Sequence, residues 1–346
     1  MSPVLSPSEN QQVIQDILAT IESVVLGKPQ ECKLALACLL AQGHLLIEDL
    51  PGMGKTTLAH MLATTLGLSY QRIQFTSDLL PADVVGFSML NHTDNSFELH
   101  KGAIFNQVVL ADEINRASPK TQSALLEAMA EEQVSIDGAT YELPSPFFVI
   151  ATQNPLSHSG TYPLPESQLD RFMMRLSLGF PDLAAEKKIL LSHNGKNKTL
   201  TKAPTVNHTA IIDQAGLLAM QQAVQEVTVA NDVLEYIIAL SHISRSAYVD
   251  KPLTAQQSNK TGSLGDLHCN PLSPRASKAL LSAAKAVAFI DNRDYVLPDD
   301  VQAVFYVVCQ HRLEQTPTQI LSQHAQKNSI AQRILEQVDV LNPLAY

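Results

Sequence analysis

The sequence predicts an α/β chain: a parallel sheet covered by helices on both faces, followed by an all-helical C-terminal part. Three observations predict it. Up to Phe180-Pro181, short continuous apolar runs alternate with amphipathic helical stretches, the pattern of buried strands joined by crossover helices. One of these runs leads into Leu50-Pro51-Gly52-Met53-Gly54-Lys55-Thr56-Thr57, a glycine loop that opens a helix. From Asp182 onward the periodicity is helical only.

A chain of 346 residues is enough for one large or two medium domains with an ample core. Hydrophobic content of 45% and charged content of 17% are those of an ordinary soluble globular protein. The formal net charge of -10 argues against a strongly basic nucleic-acid-binding face. Residues 1–10 lack the positive and apolar segments of a secretory signal. No apolar run approaches the roughly 18 residues that span a bilayer. Cys32, Cys38, Cys269 and Cys309 form no CxxC and no zinc-type spacing, so they read as reduced thiols. These features lead to the expectation of a cytoplasmic protein.

Taken in order, Ser8 and Gln11 have the pattern of a capping box, and Val13, Ile14, Ile17, Leu18 and Ile21 then give one apolar helical face. Pro29 suits the first turn of a second helix, which carries Leu36, Leu39 and Leu40 inward and stops at Gly43. Strands are expected over 44–47, 70–75, 108–111, 146–152 and 173–178, which makes a five-stranded sheet. A helix is expected over 57–66, and another from Ser118-Pro119 with Leu125, Leu126 and Met129 inward. Phe87-Ser88-Met89-Leu90 and Phe97-Glu98-Leu99 flank the turn-rich 91–96 as a hairpin that a minimal sheet does not need. Asp137-Gly138 is a strong hairpin signal between 134–136 and 141–143. Helices follow over 183–192, 213–225, 231–244, 274–290 and 299–313, with polar loops at 193–202 and 250–270.

Strand, glycine loop, then helix is the arrangement that binds nucleotide phosphates. Glycines turn backbone N–H groups toward an anion, and the helix N-terminus adds a positive dipole end. Lys55 is placed to reach the β- and γ-phosphates, and the Thr56 hydroxyl to ligate Mg²⁺. The usual pattern is GxxxxGK[ST]; Asp49 stands where its first glycine would be. Asp visits the left-handed region more readily than most residues, so the loop is expected to form with Asp49 there.

Asp112-Glu113 ends the apolar run 108–111. An acid there holds Mg²⁺ through its water shell, and the next carboxylate polarises the water that attacks the γ-phosphate. The competing reading, two solvated acids at a strand end, loses ground to the phosphate loop upstream. Asn154 ends the next strand, where open α/β sheets bind ligands, and its amide can orient that water; otherwise Asn154-Pro155 merely turns the chain. Arg171 offers the positive charge a departing γ-phosphate needs, from a neighbouring subunit, or else it pairs at the surface with Asp170 or Glu166. Sequence alone leaves these two even. Ser273 caps a helix whose first turn carries Arg275 against the helix dipole, a local conflict that points to service elsewhere, such as a bound triphosphate.

This set resembles the AAA+ ATPases, and within them the MoxR family. Glu48-Asp49-Leu50-Pro51-Gly52-Met53-Gly54-Lys55-Thr56 looks like the family's Walker A motif, in which an acidic pair before Pro-Gly is a familiar variant. Leu110-Ala111-Asp112-Glu113-Ile114-Asn115-Arg116-Ala117 is similar to its Walker B stretch, and Ala151-Thr152-Gln153-Asn154-Pro155 to sensor 1. Leu164-Pro165-Glu166 with Gln168-Leu169-Asp170-Arg171-Phe172 resembles the arginine-finger segment, and Leu272-Ser273-Pro274-Arg275-Ala276-Ser277 sensor 2.

The resemblance implies an AAA+ P-loop domain over 1–181, with N-terminal helices and inserted hairpins, and a helical lid domain over 182–346. It implies ATP and Mg²⁺, with nucleotide held by Gly27, Pro51, Gly52, Met53, Gly54, Lys55, Thr56, Thr57, Asp112 and Arg275. The metal falls to Thr56 and Asp112, and catalysis to Glu113, Asn154 and Arg171. Val25 and Gly27 match the segment that flanks the adenine. Arg116 matches a subunit-interface arginine and competes with Arg171 for the role across the interface. The hairpins match the helix-2 insert and the pre-sensor-1 hairpin, which face the pore of a ring. The family further implies a hexameric ring, a client protein complex that is remodelled, matured or loaded with metal, and a von Willebrand factor A domain partner. Ala103 departs from the family's proline, and the polar stretch before Arg275 is longer than usual. The rival reading is a DNA- or RNA-directed AAA+ motor of clamp-loader type; the acidic balance and the lack of tryptophan count against it.

Overall fold

A computed structural model of the chain describes residues 7–91, 96–154, 161–192, 210–249, 269–314, 329–341 and 343. The polar stretch 193–202, residues 250–268 of the second one, the turn residues 92–95 and Pro155 lie outside the described residues. Helices α1 (Pro7–Val24) and α2 (Pro29–Leu40) lead into β1 (Leu45–Glu48), α3 (Lys55–Thr65), β2 (Tyr70–Gln74) and α4 (Pro81–Val85). Then come β3 (Gly86–Asn91), β4 (Ser96–Lys101), β5 (Val108–Asp112), α5 (Pro119–Glu131), β6 (Gln133–Ile136), β7 (Ala139–Glu142) and β8 (Phe148–Gln153). After α6 (Glu166–Leu169) and β9 (Met174–Leu176), the chain is helical: α7 (Leu183–Ser192), α8 (Gln214–Glu226), α9 (Asn231–Val249), α10 (Pro274–Ile290), α11 (Pro298–Leu313) and α12 (Ile330–Leu335).

Five strands form one parallel sheet in the order β2-β5-β8-β1-β9. Their side chains alternate between two apolar cores, as the pleat requires. Leu45, Ile47, Val108, Leu110, Ile150, Met174 and Leu176 enter the core that α1, α2 and α3 cover. Leu46, Val109, Ala111, Val149 and Ala151 enter the other, under α5. Strands buried on both faces have to be largely apolar, which is why they read as nearly continuous runs. The first core continues without a break into α8, α9, α10 and α11. The late helices therefore pack directly on α2, where the Gln221 amide donates to the Leu39 carbonyl at 2.9 Å.

Both expected hairpins form. β3 pairs with β4 in antiparallel register, Phe87 opposite His100 and Met89 opposite Glu98. β6 pairs with β7 through Asp137 (φ 50) and Gly138 (φ 83), the two left-handed residues a tight hairpin turn needs. Element ends differ in places. Pro7 is already within α1, so Ser8 lies inside the helix and does not open it. α3 begins at Lys55, two residues earlier than its apolar pattern, because Gly54 serves as its N-cap. α4, α6 and α12 are too short for periodicity to announce them.

Candidate nucleotide site

β1 delivers the chain to the carboxyl edge of the sheet, where open α/β folds place their ligands. Between Glu48 and Lys55, Gly52 (φ 86) and Gly54 (φ 90) are left-handed. A Cβ at either would meet nothing within 4 Å, so glycine is required by conformation and not by crowding. No side chain caps α3, which leaves its first N–H groups turned to the loop. Lys55 is buried, and its ammonium donates to Asp49 O at 2.7 Å and to Asn154 Oδ1 at 3.1 Å. Burial lowers its pKa below the ordinary lysine value, while the carboxylates of Asp49, Asp112, Glu113 and Glu48 pull the other way.

Asp49 corrects one expectation. It is not among the left-handed residues. Its carboxylate accepts from Gly179 N at 2.7 Å, Ser177 Oγ at 3.3 Å and its neighbour Leu50 N at 3.0 Å. It thus ties the loop to the segment after β9. Glu48 beside it is also buried, paired with Arg175 at 3.4 Å, and Arg175 in turn meets Glu314 at the end of α11 at 2.8 Å. Burial raises the Glu48 pKa, and Arg175 opposes that.

At the ends of β5 and β8 the acids are held differently. Thr152 Oγ1 donates to Asp112 Oδ1 at 2.5 Å and accepts from Glu113 N at 2.9 Å. Asp112 Oδ2 accepts from Arg72, at 2.6 Å from Nη2 and 3.1 Å from Nε. Glu113 has φ 56, a left-handed value that costs a non-glycine residue roughly 1–3 kcal/mol. That backbone aims its carboxylate across to β8. Asn154 Nδ2 donates to Glu113 Oε1 at 2.8 Å, Gln74 Nε2 to Oε2 at 2.8 Å, and Arg116 Nε lies 3.2 Å from Oε2. Lys55, Asn154 and Glu113 form one hydrogen-bonded row.

Arg171 and Arg275 are not brought into that row. Met173 N donates to His44 O, so residues 170–173 stand at the entrance of β1 while Lys55 follows its exit. From His44 to Asp49 the strand path is about 16 Å. Arg171 Nη1 donates to the Leu126 carbonyl of α5. Asp170 pairs with Arg312 at 2.7 Å and with Arg275 at 3.7 Å, so the described ion pairs of Asp170 do not include Arg171. Arg275 therefore stands away from its own phosphate loop, 64% exposed. Both arginines line an open depression of about 490 Å³ with Lys278 and Glu132.

Gly27 sits where α1 turns into α2. Its φ is 73, and an added Cβ would lie 2.8 Å from Ala185 Cβ on α7, so both backbone and space demand glycine. This brings the turn against the segment after β9, beside the loop that Asp49 anchors. Arg72, Gln74, Arg175 and Glu314 also hold these acids and loops, and were not expected from the sequence. The one signal for the first pair was their i, i+2 spacing in β2, which puts both on one face.

The donors expected for a metal are a hydroxyl and a carboxylate. Hard oxygens of this kind, few in number, suit Mg²⁺, which keeps several of its waters. Among the described residues no three His, Cys, Asp or Glu cluster as a metal cage. The cysteines are free and buried, and burial pushes the Cys32 and Cys309 thiols up to about 12. No described helix is long and apolar enough to cross a membrane.

Comparison with known proteins agrees with this fold. Residues 44–174 match the ATPase family associated with various cellular activities (AAA), and residues 271–334 match the AAA lid domain. The chain is 41% identical to the uncharacterized protein YeaC of Bacillus subtilis, over 92% of each. It is 36% identical to chaperone MoxR1 of Mycobacterium tuberculosis, over 85% of this chain and 73% of that one. It is 31% identical to protein MoxR of Paracoccus denitrificans, over 88% and 89%. A crystal structure of a candidate ATPase from Cytophaga hutchinsonii superposes with a TM-score of 0.79 at 34% identity, covering 96% of both chains.

Proposed function

Because the chain belongs to the MoxR family of AAA+ ATPases, we propose that it hydrolyses ATP to ADP and phosphate at the Lys55–Glu113 site and couples this to the remodelling of other protein complexes. The hydrogen-bonded row Lys55–Asn154–Glu113 is the observation that supports this reading. It sets a phosphate-seeking ammonium, a water-orienting amide and a general base in a row along the carboxyl edge of the sheet. Glu113 takes the proton of the attacking water, and Asn154 holds that water in line. Lys55 and the loop of Pro51, Gly52, Met53, Gly54, Thr56 and Thr57 hold the phosphates, with Gly27 at the adenine end.

Thr56 and Asp112 would hold Mg²⁺, which when bound supplies positive charge to the β- and γ-oxygens. Arg171 and Arg275, on the opposite edge of the sheet, serve the nucleotide of a neighbouring copy. That division of labour requires more than one copy, and we take the assembly to be a hexameric ring in the cytoplasm. Phe87, Met89 and Phe97 are exposed on the β3–β4 hairpin and offer apolar contact to a client. A von Willebrand factor A domain partner and metal insertion into the client are part of the same proposal.

The test is capture by a stalled form. Glu113→Gln, held in ATP and Mg²⁺, is purified from native lysate against a no-nucleotide control. Nucleotide-dependent enrichment of one unassembled enzyme complex or a von Willebrand-type protein supports the remodelling role. Enrichment of nucleic acid and its handling proteins, lost on nuclease treatment, contradicts it in favour of a nucleic-acid motor.

A further inference from the structure

Arg72 makes one of the closest ion pairs in the site. Its Nη2 lies 2.6 Å and its Nε 3.1 Å from the same atom, Asp112 Oδ2. The other oxygen, Oδ1, is taken by the Thr152 hydroxyl at 2.5 Å. Asp112 is buried, so few other directions are open to it. The Arg72 side chain is 48% exposed, sits on edge strand β2 and is also held by Gln74 Oε1 at 3.0 Å. A long, half-exposed guanidinium on an edge strand can swing out at little cost. The short carboxylate of Asp112 cannot turn elsewhere.

Resting on the reading of Asp112 as the acid behind the metal, we propose that Arg72 competes with the divalent cation for Asp112. The cation's water shell has to share or displace the contact at Oδ2. Two effects then act in the same direction. Arg72 occupies the acceptor, and its positive charge repels a second cation nearby. A residue that merely oriented Asp112 would act in the opposite direction, because its removal would loosen the carboxylate and weaken the cation. The sign of the effect therefore separates the two roles. Lysine keeps the charge, so Arg72→Lys stays near the wild type, whereas Arg72→Met removes both charge and donors.

The experiment is Mn²⁺ titration followed by the electron paramagnetic resonance of free Mn²⁺, with a non-hydrolysable ATP analogue present. Wild type, Arg72→Met, Arg72→Lys and Lys55→Ala are compared at equal protein concentration. The expected result is Mn²⁺ bound roughly fivefold more tightly by Arg72→Met, the scale of one partly exposed ion pair, with Arg72→Lys within about twofold of wild type. Unchanged or weaker Mn²⁺ binding by Arg72→Met, with its thermal midpoint and its analogue affinity intact, overturns the competition. An Arg72→Lys form that binds as tightly as Arg72→Met also overturns it. Wild-type Mn²⁺ binding that ignores the analogue and survives Lys55→Ala overturns the site reading itself, a failure distinct from the other two.

Discussion

Asn154 stands between Lys55 and Glu113, accepting from the ammonium at 3.1 Å and donating to the carboxylate at 2.8 Å. The two charged groups make their link through this neutral amide. A change at Asn154 should therefore fall on turnover more than on binding. Asn154→Ala is expected to lower kcat by about 100-fold, in the range of a lost general-base arrangement, and to leave nucleotide affinity within about threefold. Steady-state kinetics beside equilibrium binding of a fluorescent nucleotide checks this. Affinity lost with kcat retained would mean that Asn154 holds the nucleotide and not the water.

Asp49 departs from the phosphate-loop pattern, and the structure gives it a different job. Its carboxylate accepts from Gly179 N and Ser177 Oγ, which fastens the loop to the segment after β9. Asp49→Gly restores the glycine of the general pattern but removes that anchor. It is expected to lower stability by roughly 1–3 kcal/mol, the scale of a hydrogen bond to a charged group, and to weaken ATP binding. Urea unfolding and nucleotide titration measure both. Tighter binding by Asp49→Gly would show that the anchor restrains the loop.

His44 makes stability depend on pH. Its Nδ1 accepts from Val149 N at 3.1 Å, and its Nε2 donates to Met129 O at 3.2 Å, which fits a neutral ring. Burial lowers its pKa to about 4, against the raising effect of the Met129 carbonyl. Between the ordinary value near 6.5 and 4, the unfolded chain takes a proton that the folded chain refuses. Stability from this group is complete above pH 6.5 and is lost as pH falls through that window, about 2 kcal/mol from pH 7 to 5. His311, also lowered by burial, acts in the same direction. Chemical unfolding at the two pH values is expected to show a smaller loss in His44→Gln than in wild type. An equal loss would show that His44 does not govern the slope.

The parallel sheet was legible because strands buried on both faces have to be largely apolar, and 108–111 and 147–151 are apolar throughout. Asp137-Gly138 was legible because few dipeptides accept two positive φ values. That Lys55, Asp112, Glu113 and Asn154 come together was legible because all four stand at or after strand ends on one edge of the sheet. Arg72 and Gln74 were not, since a polar residue on an edge strand reads the same whether it meets water or a catalytic acid. Arg175 was hidden for another reason. It is fully buried in a short strand, and its partners Glu48 and Glu314 are far apart in sequence. The position of Arg275 was not legible, because its own helix says nothing about which edge of the sheet it packs against.

Under the proposed function, hydrolysis takes Lys55, Asn154 and Glu113 from one copy and arginine from the next. Two inactive forms test it. Glu113→Gln lacks the base but keeps Arg171; Arg171→Ala keeps the base but lacks the arginine. Mixed in equal amounts with ATP and Mg²⁺, they are expected to hydrolyse ATP at a substantial fraction of the wild-type rate, although neither does so alone. A mixture that remains as inactive as its components, while still co-assembling, would contradict the account.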